Sequence, residues 1–475
     1  MIGRLAIRSL TAHPVRSAVL AAGFGAGVGV MAILLGVADI VLEQSTAPAL
    51  AGGGDVVVSL APQVPARMVL AGVLQGDSLR SRIQTASPRD QSRLYLVRNG
   101  KTIEVGAVGE IPSLQRKLGD ASIAGIAAWR DTPADIEWTQ DSPEAILRFV
   151  DRFHRVPDAP EWSDSWAEWL YFNGRAGDAR FYLTFLVGPP AAGGGRSAGV
   201  RLQLDRGHGV ETFAAGASLT DDQVLRAPDL TIGASSVRLE GLRYHIHLDL
   251  PGAGGTRVLG DVTLDAAPGR LIPPFEITGA RGWQTGYVVP VMSGELGGQL
   301  DVSGSTIPLA GGRGYHDHNW GFWEGVSWQW GQVQYEDLSI IYGRVFPPPD
   351  AADPERLPVF VGVIGPDGPL GYANSLRLTP GDTSVVTIRE TDDARGDPRL
   401  VSVVARSGVL DLELTFEVES RVATQGTPGS GPLRGQLDFL QMRGTYVVKG
   451  RAGGRVLNFS APGSAETFRG ASPTP

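Results

Sequence analysis

Beyond residue 166 the chain is dominated by alternation of period two. Over 242–250, Leu242, Tyr244, Ile246, Leu248 and Leu250 share one face, while Arg243, His245, His247 and Asp249 share the other. Only an extended strand separates neighbours in this way, because successive side chains leave a strand on opposite sides. The stretch 410–419 repeats the pattern, with Leu410, Leu412, Leu414, Phe416 and Val418 opposed by Asp411, Glu413, Glu417 and Glu419. FYLTFLVG at 181–188 is a continuous apolar run, and 446–448 and 456–459 flank a Gly-rich turn as a hairpin. Strands that are apolar on one face close into antiparallel barrels with a dry interior. Upstream, DVVVS at 55–59 and the stretches 93–97 and 101–108 read as strands among short helical patterns.

The predicted fold class is therefore mainly β. Four segments follow from the pattern: a basic stub and membrane anchor over 1–48, a small α+β module over 49–158, and two β domains over 159–325 and 326–470. The run Asp151 to Pro157 marks the end of the module, and a Pro- and acid-rich linker follows it to Ser165.

The amino-terminal stretch adds a location. Arg4, Arg8 and Arg16 precede an uncharged segment from Ser17 to Ala38, and Asp39 and Glu43 follow it. About 22 residues make a helix of roughly 33 Å, enough to cross the hydrocarbon core. The arginines before it predict a cytoplasmic N-terminus and an extracytoplasmic, periplasmic bulk. The span is longer than a signal peptide's apolar core, and Ala47-Pro48-Ala49 is a poor cleavage site, so an uncleaved single-pass anchor in the inner (cytoplasmic) membrane is expected. Gly23, Gly25, Gly27 and Gly29 either let two such helices approach closely or reflect the ordinary glycine content of membrane helices.

Charge and composition exclude some classes. The formal net charge of −8 gives no basic field for nucleic acid. With no cysteine, thiolate metal sites, iron–sulfur clusters and cysteine nucleophiles are ruled out. HExxH is also missing, and Gly233-Ala234-Ser235-Ser236 does not provide GxSxG.

The sharpest local feature is Gly314-Tyr315-His316-Asp317-His318-Asn319-Trp320-Gly321. Glu168-Trp169-Leu170-Tyr171-Phe172-Asn173-Gly174, Gly286-Tyr287-Val288-Val289-Pro290 and the stretch from Trp330-Gly331 through Tyr342-Gly343 to Pro347-Pro348 accompany it. Together these resemble the carotenoid 1,2-hydratase (hydroxyneurosporene synthase) family and its AttH-type secreted relatives, over roughly 165 to 470. Leu170 departs from the family's second tryptophan. The resemblance implies tandem lipocalin-like barrels and, in some members, cofactor-free chemistry on polyene or other hydrophobic ligands. The anchor and its flanks are similar to the first helix of MacB/FtsX-type permeases. That likeness implies an alternative role as a non-catalytic lipid-handling accessory of an ABC export system, with transporter components as partners.

In an extended segment His316 and His318 project to one side, and Tyr315, Asp317 and Asn319 to the other. Three readings stay open. The cluster can lock two domains through buried hydrogen bonds, with Trp320 packed between the barrels. It can be catalytic, with Asp317, His316 or His318 as a general acid that protonates a carbon–carbon double bond for a hydratase or cyclase. Or the two histidines can meet His245 and His247 around a metal. The reading carried forward makes Asp317, His316 and His318 catalytic, without metal or cofactor. It assigns Trp169, Tyr171, Trp283, Tyr287, Asn319, Trp320, Trp328 and Trp330 to a hydrophobic or lipid ligand, some of them as aromatic faces that would shelter a carbocation.

Overall fold

A computed structural model describes residues 66–75 and most of 82–470, with breaks at 99–100, 121–125, 127, 140–141, 192, 208, 268, 355–356, 358, 367, 376–383, 395 and 426–436, and a few isolated earlier positions. The expected anchor over 17–38 lies outside the described residues. Among the described residues no helix is long and apolar enough to cross a membrane. Val56 to Val58, expected in a strand, carry no regular structure.

The chain divides into two units, one covering 1–59 and 85–136, the other 60–84 and 137–475. In the first, strands β1 (Arg89–Arg98) and β2 (Lys101–Glu110) pair as an antiparallel ribbon. Helix α1 (Pro112–Leu118) follows. It starts on a proline, whose missing N–H would have had no helical partner, and ends on Gly119 in the left-handed region.

The second unit holds two antiparallel sheets. The first contains β3 (Trp166–Ala176), β4 (Ala179–Pro190), β5 (Arg196–Asp205), β6 (Val210–Leu219), β7 (Leu230–Ile232) and β8 (Ser235–Glu240). It continues with β9 (Arg243–Pro251), β10 (Arg257–Asp265), β11 (Ile272–Thr278), β12 (Gln284–Val302), β13 (Ser305–Pro308) and β14 (Arg313–Phe322). Its order is β6-β5-β4-β3-β14-β12-β10-β9-β8-β7, with β11 and β13 also on β12. A bridge from Phe213 to Gly252 brings its two ends together. The second sheet contains β15 (Ser327–Tyr335), β16 (Leu338–Phe346), β17 (Phe360–Gly365), β18 (Gly368–Asn374) and β19 (Val385–Asp392). It is completed by β20 (Pro398–Arg406), β21 (Leu410–Gln425), β22 (Leu437–Ala452) and β23 (Arg455–Gly470), in the order β18-β17-β16-β15-β23-β22-β21-β20-β19. The fold is mainly β, with two nearly closed, barrel-shaped sheets in tandem.

The alternation read from the sequence maps onto the two interiors. Tyr244, Ile246, Leu248 and Leu250 are buried in the first, and Leu410, Leu412, Leu414 and Phe416 in the second. The hairpin turn falls at Gly453-Gly454, both at positive φ, the two-residue turn whose twist matches paired strands. The continuous run at 181–188 has its own cause. Phe181, Leu183, Phe185 and Val187 enter the first interior, and Tyr182, Thr184 and Leu186 on the outer face line the space between the two sheets.

Asp151, read as the end of a separate module, is wholly buried against the first sheet. Helix α2 (Pro143–Val150), capped by the Ser142 hydroxyl, buries Leu147 and Val150 in the same core and delivers Asp151 at its end. The compositional break that follows is a change of backbone style within one folded body.

Candidate functional site

Strand β14 lies between β3 and β12, and its alternation separates two environments. His316 pairs with Phe172 and His318 with Leu170, on the side facing the interior; Asp317 pairs with Tyr171 and Asn319 with Trp169, on the side facing the second sheet.

The interior side is a closed hydrogen-bond network. His316 places one ring nitrogen 2.9 Å from the Tyr171 carbonyl oxygen and the other 3.0 Å from Asp151. His318 lies 3.1 Å from Asp151 and 2.9 Å from Glu168. The Tyr244 hydroxyl donates to Asp151 at 2.8 Å, and the His154 backbone N–H donates to Glu168. Burial disfavours charge on His318, Asp151 and Glu168, yet the pairing wins. His318 rises to about 9, because Asp151 and Glu168 outweigh the burial that would lower it. Asp151 falls to about 2, because His316 and His318 outweigh burial. Glu168 is lowered as well, against burial, by His154 and His318. The side chains of Asp151, Glu168, His316 and His318 have no solvent exposure at all.

The outer side opens on a cavity of about 340 Å³ between the two sheets. Its first wall consists of cross-strand rows. Asp317, Tyr171, Thr184, Arg201 and Ala214 are successive partners across β14, β3, β4, β5 and β6, and Asn319, Trp169, Leu186 and Gly199 form the next row. The opposite wall is built the same way. Trp330, Glu466 and Gln441 are partners across β15, β23 and β22, and Trp328 and Phe439 stand beside them. Trp169, Trp323 and Trp328 pack with ring centroids 4.7 to 6.1 Å apart.

Two carboxyls sit in this apolar setting. Burial, then the charge of Glu466, push the Asp317 carboxyl well above the carboxylate range, despite hydrogen bonds from Tyr315 and Asn319. Asn319 donates to Asp317 at 2.6 Å, and the Trp330 indole N–H supports the Tyr315 hydroxyl at 3.0 Å. Burial raises Glu466 to about 7, against the effect of Tyr171 and Gln441 beside it. Near neutrality the pair therefore keeps a proton facing the cavity, as a general acid requires.

The structure thus brings together Asp317, Asn319, Trp169, Tyr171, Trp328 and Trp330 and separates the rest. His316 and His318 are walled off from the cavity by their own strand. Trp320, expected between the barrels, points inward with the histidines and stacks on His154 at 4.3 Å. Gly286 beneath it is obligatory, since a Cβ there would lie 2.4 Å from the indole. Trp283 is buried and donates to the Phe322 carbonyl oxygen, and Tyr287 packs on Trp330 and Phe360 without reaching the cavity. The departure at Leu170 also faces inward and leaves the cavity wall untouched.

The two HxH pairs do not meet. Because Tyr244 and Ile246 occupy the inner face of β9, His245 and His247 look outward and pair with Glu240 and Asp261. Among the described residues, His154, Glu168 and His318 are the group near enough to share an ion, with ligand atoms within 4.8 Å. Both ring nitrogens of His318 point at carboxylate oxygens, so protons occupy the positions an ion would need.

No family model and no curated protein matches the chain. Among solved structures it is similar to a protein assigned as an AttH from Nitrosomonas europaea, at 14% identity over 67% of this chain and 98% of that one, with a TM-score of 0.39. It is also similar to CghA with Sch210972, at 14% identity over 69% of this chain and 94% of that one, again with a TM-score of 0.39.

Sequence reasoning did not find Glu466, Gln441, Tyr182 or Arg201. Each is a polar residue in an apolar strand, which is a usable signal, but only the register shows that they share a cavity. Asp151 carried no such signal.

Proposed function

We propose that the cavity between the sheets binds a hydrophobic small molecule of isoprenoid, polyene or lipid type, and that Asp317 and Glu466 move a proton to and from it without a cofactor. The observation that carries this is the pair of buried carboxyls, both raised, in an aromatic cavity. A polar pair kept protonated by its surroundings is a common arrangement for acid catalysis at neutral pH. In a hydration, the Asp317 proton forms a new C–H bond at one alkene carbon and leaves a cation at the other. The tryptophan faces stabilise that cation, water adds to it, and the proton released returns to a carboxylate. In a cyclisation a second double bond captures the cation, and loss of a neighbouring proton closes the cycle. Neither route needs an oxidant or reductant.

Anchoring through 17–38, with the bulk outside the cytoplasm, belongs to the same proposal and is supported by the charge pattern around that segment. The test is incubation with unsaturated isoprenoid alcohols in heavy water. The reading expects deuterium on carbon in a hydrated or cyclised product, and loss of turnover by 10²-fold or more in Asp317→Asn, about the contribution of a positioned acid. Unchanged turnover in that variant would sink it.

A further inference from the structure

Arg201 stands on the cavity wall in the same cross-strand row as Asp317, two strands beyond Tyr171's own. Among the described residues it has no ion-pair partner, and its buried Nε has no hydrogen-bond partner. Burial alone acts on its pKa, lowering it. Two other half-buried arginines of the unit are matched, Arg443 by Asp205 and Arg421 by Asp393. A guanidinium left half-buried and unmatched in an apolar cavity is costly unless something occupies it. Tyr182, whose hydroxyl burial keeps protonated by raising it to about 12, and Gln203 line the cavity beside it as neutral donors.

We infer that the ligand is amphipathic and carries a carboxylate, held by Arg201 with Tyr182 and Gln203, while its hydrocarbon part extends along the tryptophan wall to Asp317. The inference rests on the cavity being the binding site, as proposed above. The row also supplies a length. Three steps of about 4.8 Å between strands separate the backbones of Asp317 and Arg201 by about 14 Å, so the reacting carbon lies several bonds from the carboxylate. Arginine suits this end because its planar fork meets both oxygens of a carboxylate.

The experiment titrates the purified full chain with decanoate, decanol and methyl decanoate, and follows the fluorescence of the cavity tryptophans. Decanoate should bind at least tenfold more tightly than either neutral probe. Arg201→Met should remove that preference while leaving decanol affinity within about twofold, and Arg201→Lys should restore part of it. Equal affinities in the wild type, or a preference that survives Arg201→Met, would overturn the carboxylate assignment while leaving the cavity reading intact. If none of the three probes binds, the cavity reading itself fails. Should Arg201→Met not fold, the Arg201→Lys ratio and the wild-type preference decide the matter.

Discussion

Asp151 and Asp317 lie on opposite sides of one strand, both buried carboxyls, and their surroundings drive them in opposite directions. Asp151 meets two imidazoles and a tyrosine hydroxyl and falls to about 2. Asp317 meets another carboxyl and an apolar cavity and rises well above the carboxylate range. Burial opposes ionisation in both, so the sign is set by whether cations are supplied. Strand β14 thereby divides its labour by alternation: even positions hold the first sheet together, and odd positions hold a proton at a cavity.

The comparison breaks most forcefully on the sealed side. Asp151→Ala or His318→Ala takes one partner away from a buried charge in this network, which should cost about 3–5 kcal/mol in denaturant unfolding. A loss below about 1 kcal/mol would mean the network is not what holds the junction of helix α2 and β14. Its pH dependence has two edges. His318 is raised in the fold, so its contribution is full below about pH 6.5 and is lost as pH rises through about 9. Asp151 is lowered, so its contribution is full above its ordinary value near 3.8 and is lost as pH falls toward about 2.

On the open side the sign should reverse. Glu466 is raised from 4.5 to about 7, so ionising it costs stability as pH rises through that interval, and Asp317 adds to the cost in the same direction. Asp317→Asn and Glu466→Gln should each leave stability unchanged near pH 4 and increase it at pH 8 by roughly 1–3 kcal/mol. Residues that weaken a fold while serving a site show this trade-off. Thermal melts at the two pH values decide it. Variants destabilised at pH 8 would place these acids with Asp151 as structural groups.

Much of this was legible in the sequence, and the failures share a cause. Period-two alternation fixes faces, so the strands at 242–250 and 410–419 and the opposite directions of His316 and Asp317 could be read directly. Alternation does not say what a face meets. The outer face of β3 and β4 meets a second sheet, and the cavity lies between the two. Trp320 was expected between the barrels, yet its even position sends it inward with the histidines. A compositional change follows Asp151, and that change does not say that the last turn of α2 carries the residue into the core. Glu466 pairs with Trp330 through a register spanning more than a hundred residues, which no local pattern encodes.

The smallest effect sharpens the comparison furthest, because it touches the open side without removing a charge. The Trp330 indole N–H donates to the Tyr315 hydroxyl, which in turn lowers Asp317 against burial. Trp330→Phe keeps an aromatic face on the cavity and deletes that donor. The expected loss is about 0.5–1.5 kcal/mol, the worth of one neutral hydrogen bond, with hydrophobic-probe binding largely retained. If Asp317 is the proton donor, the rate in this variant should change in its pH profile more than in its KM, since the perturbed link orients the acid and leaves the ligand's contacts in place. A change confined to KM would assign Trp330 to binding alone and cut Tyr315 out of the proton-bearing group.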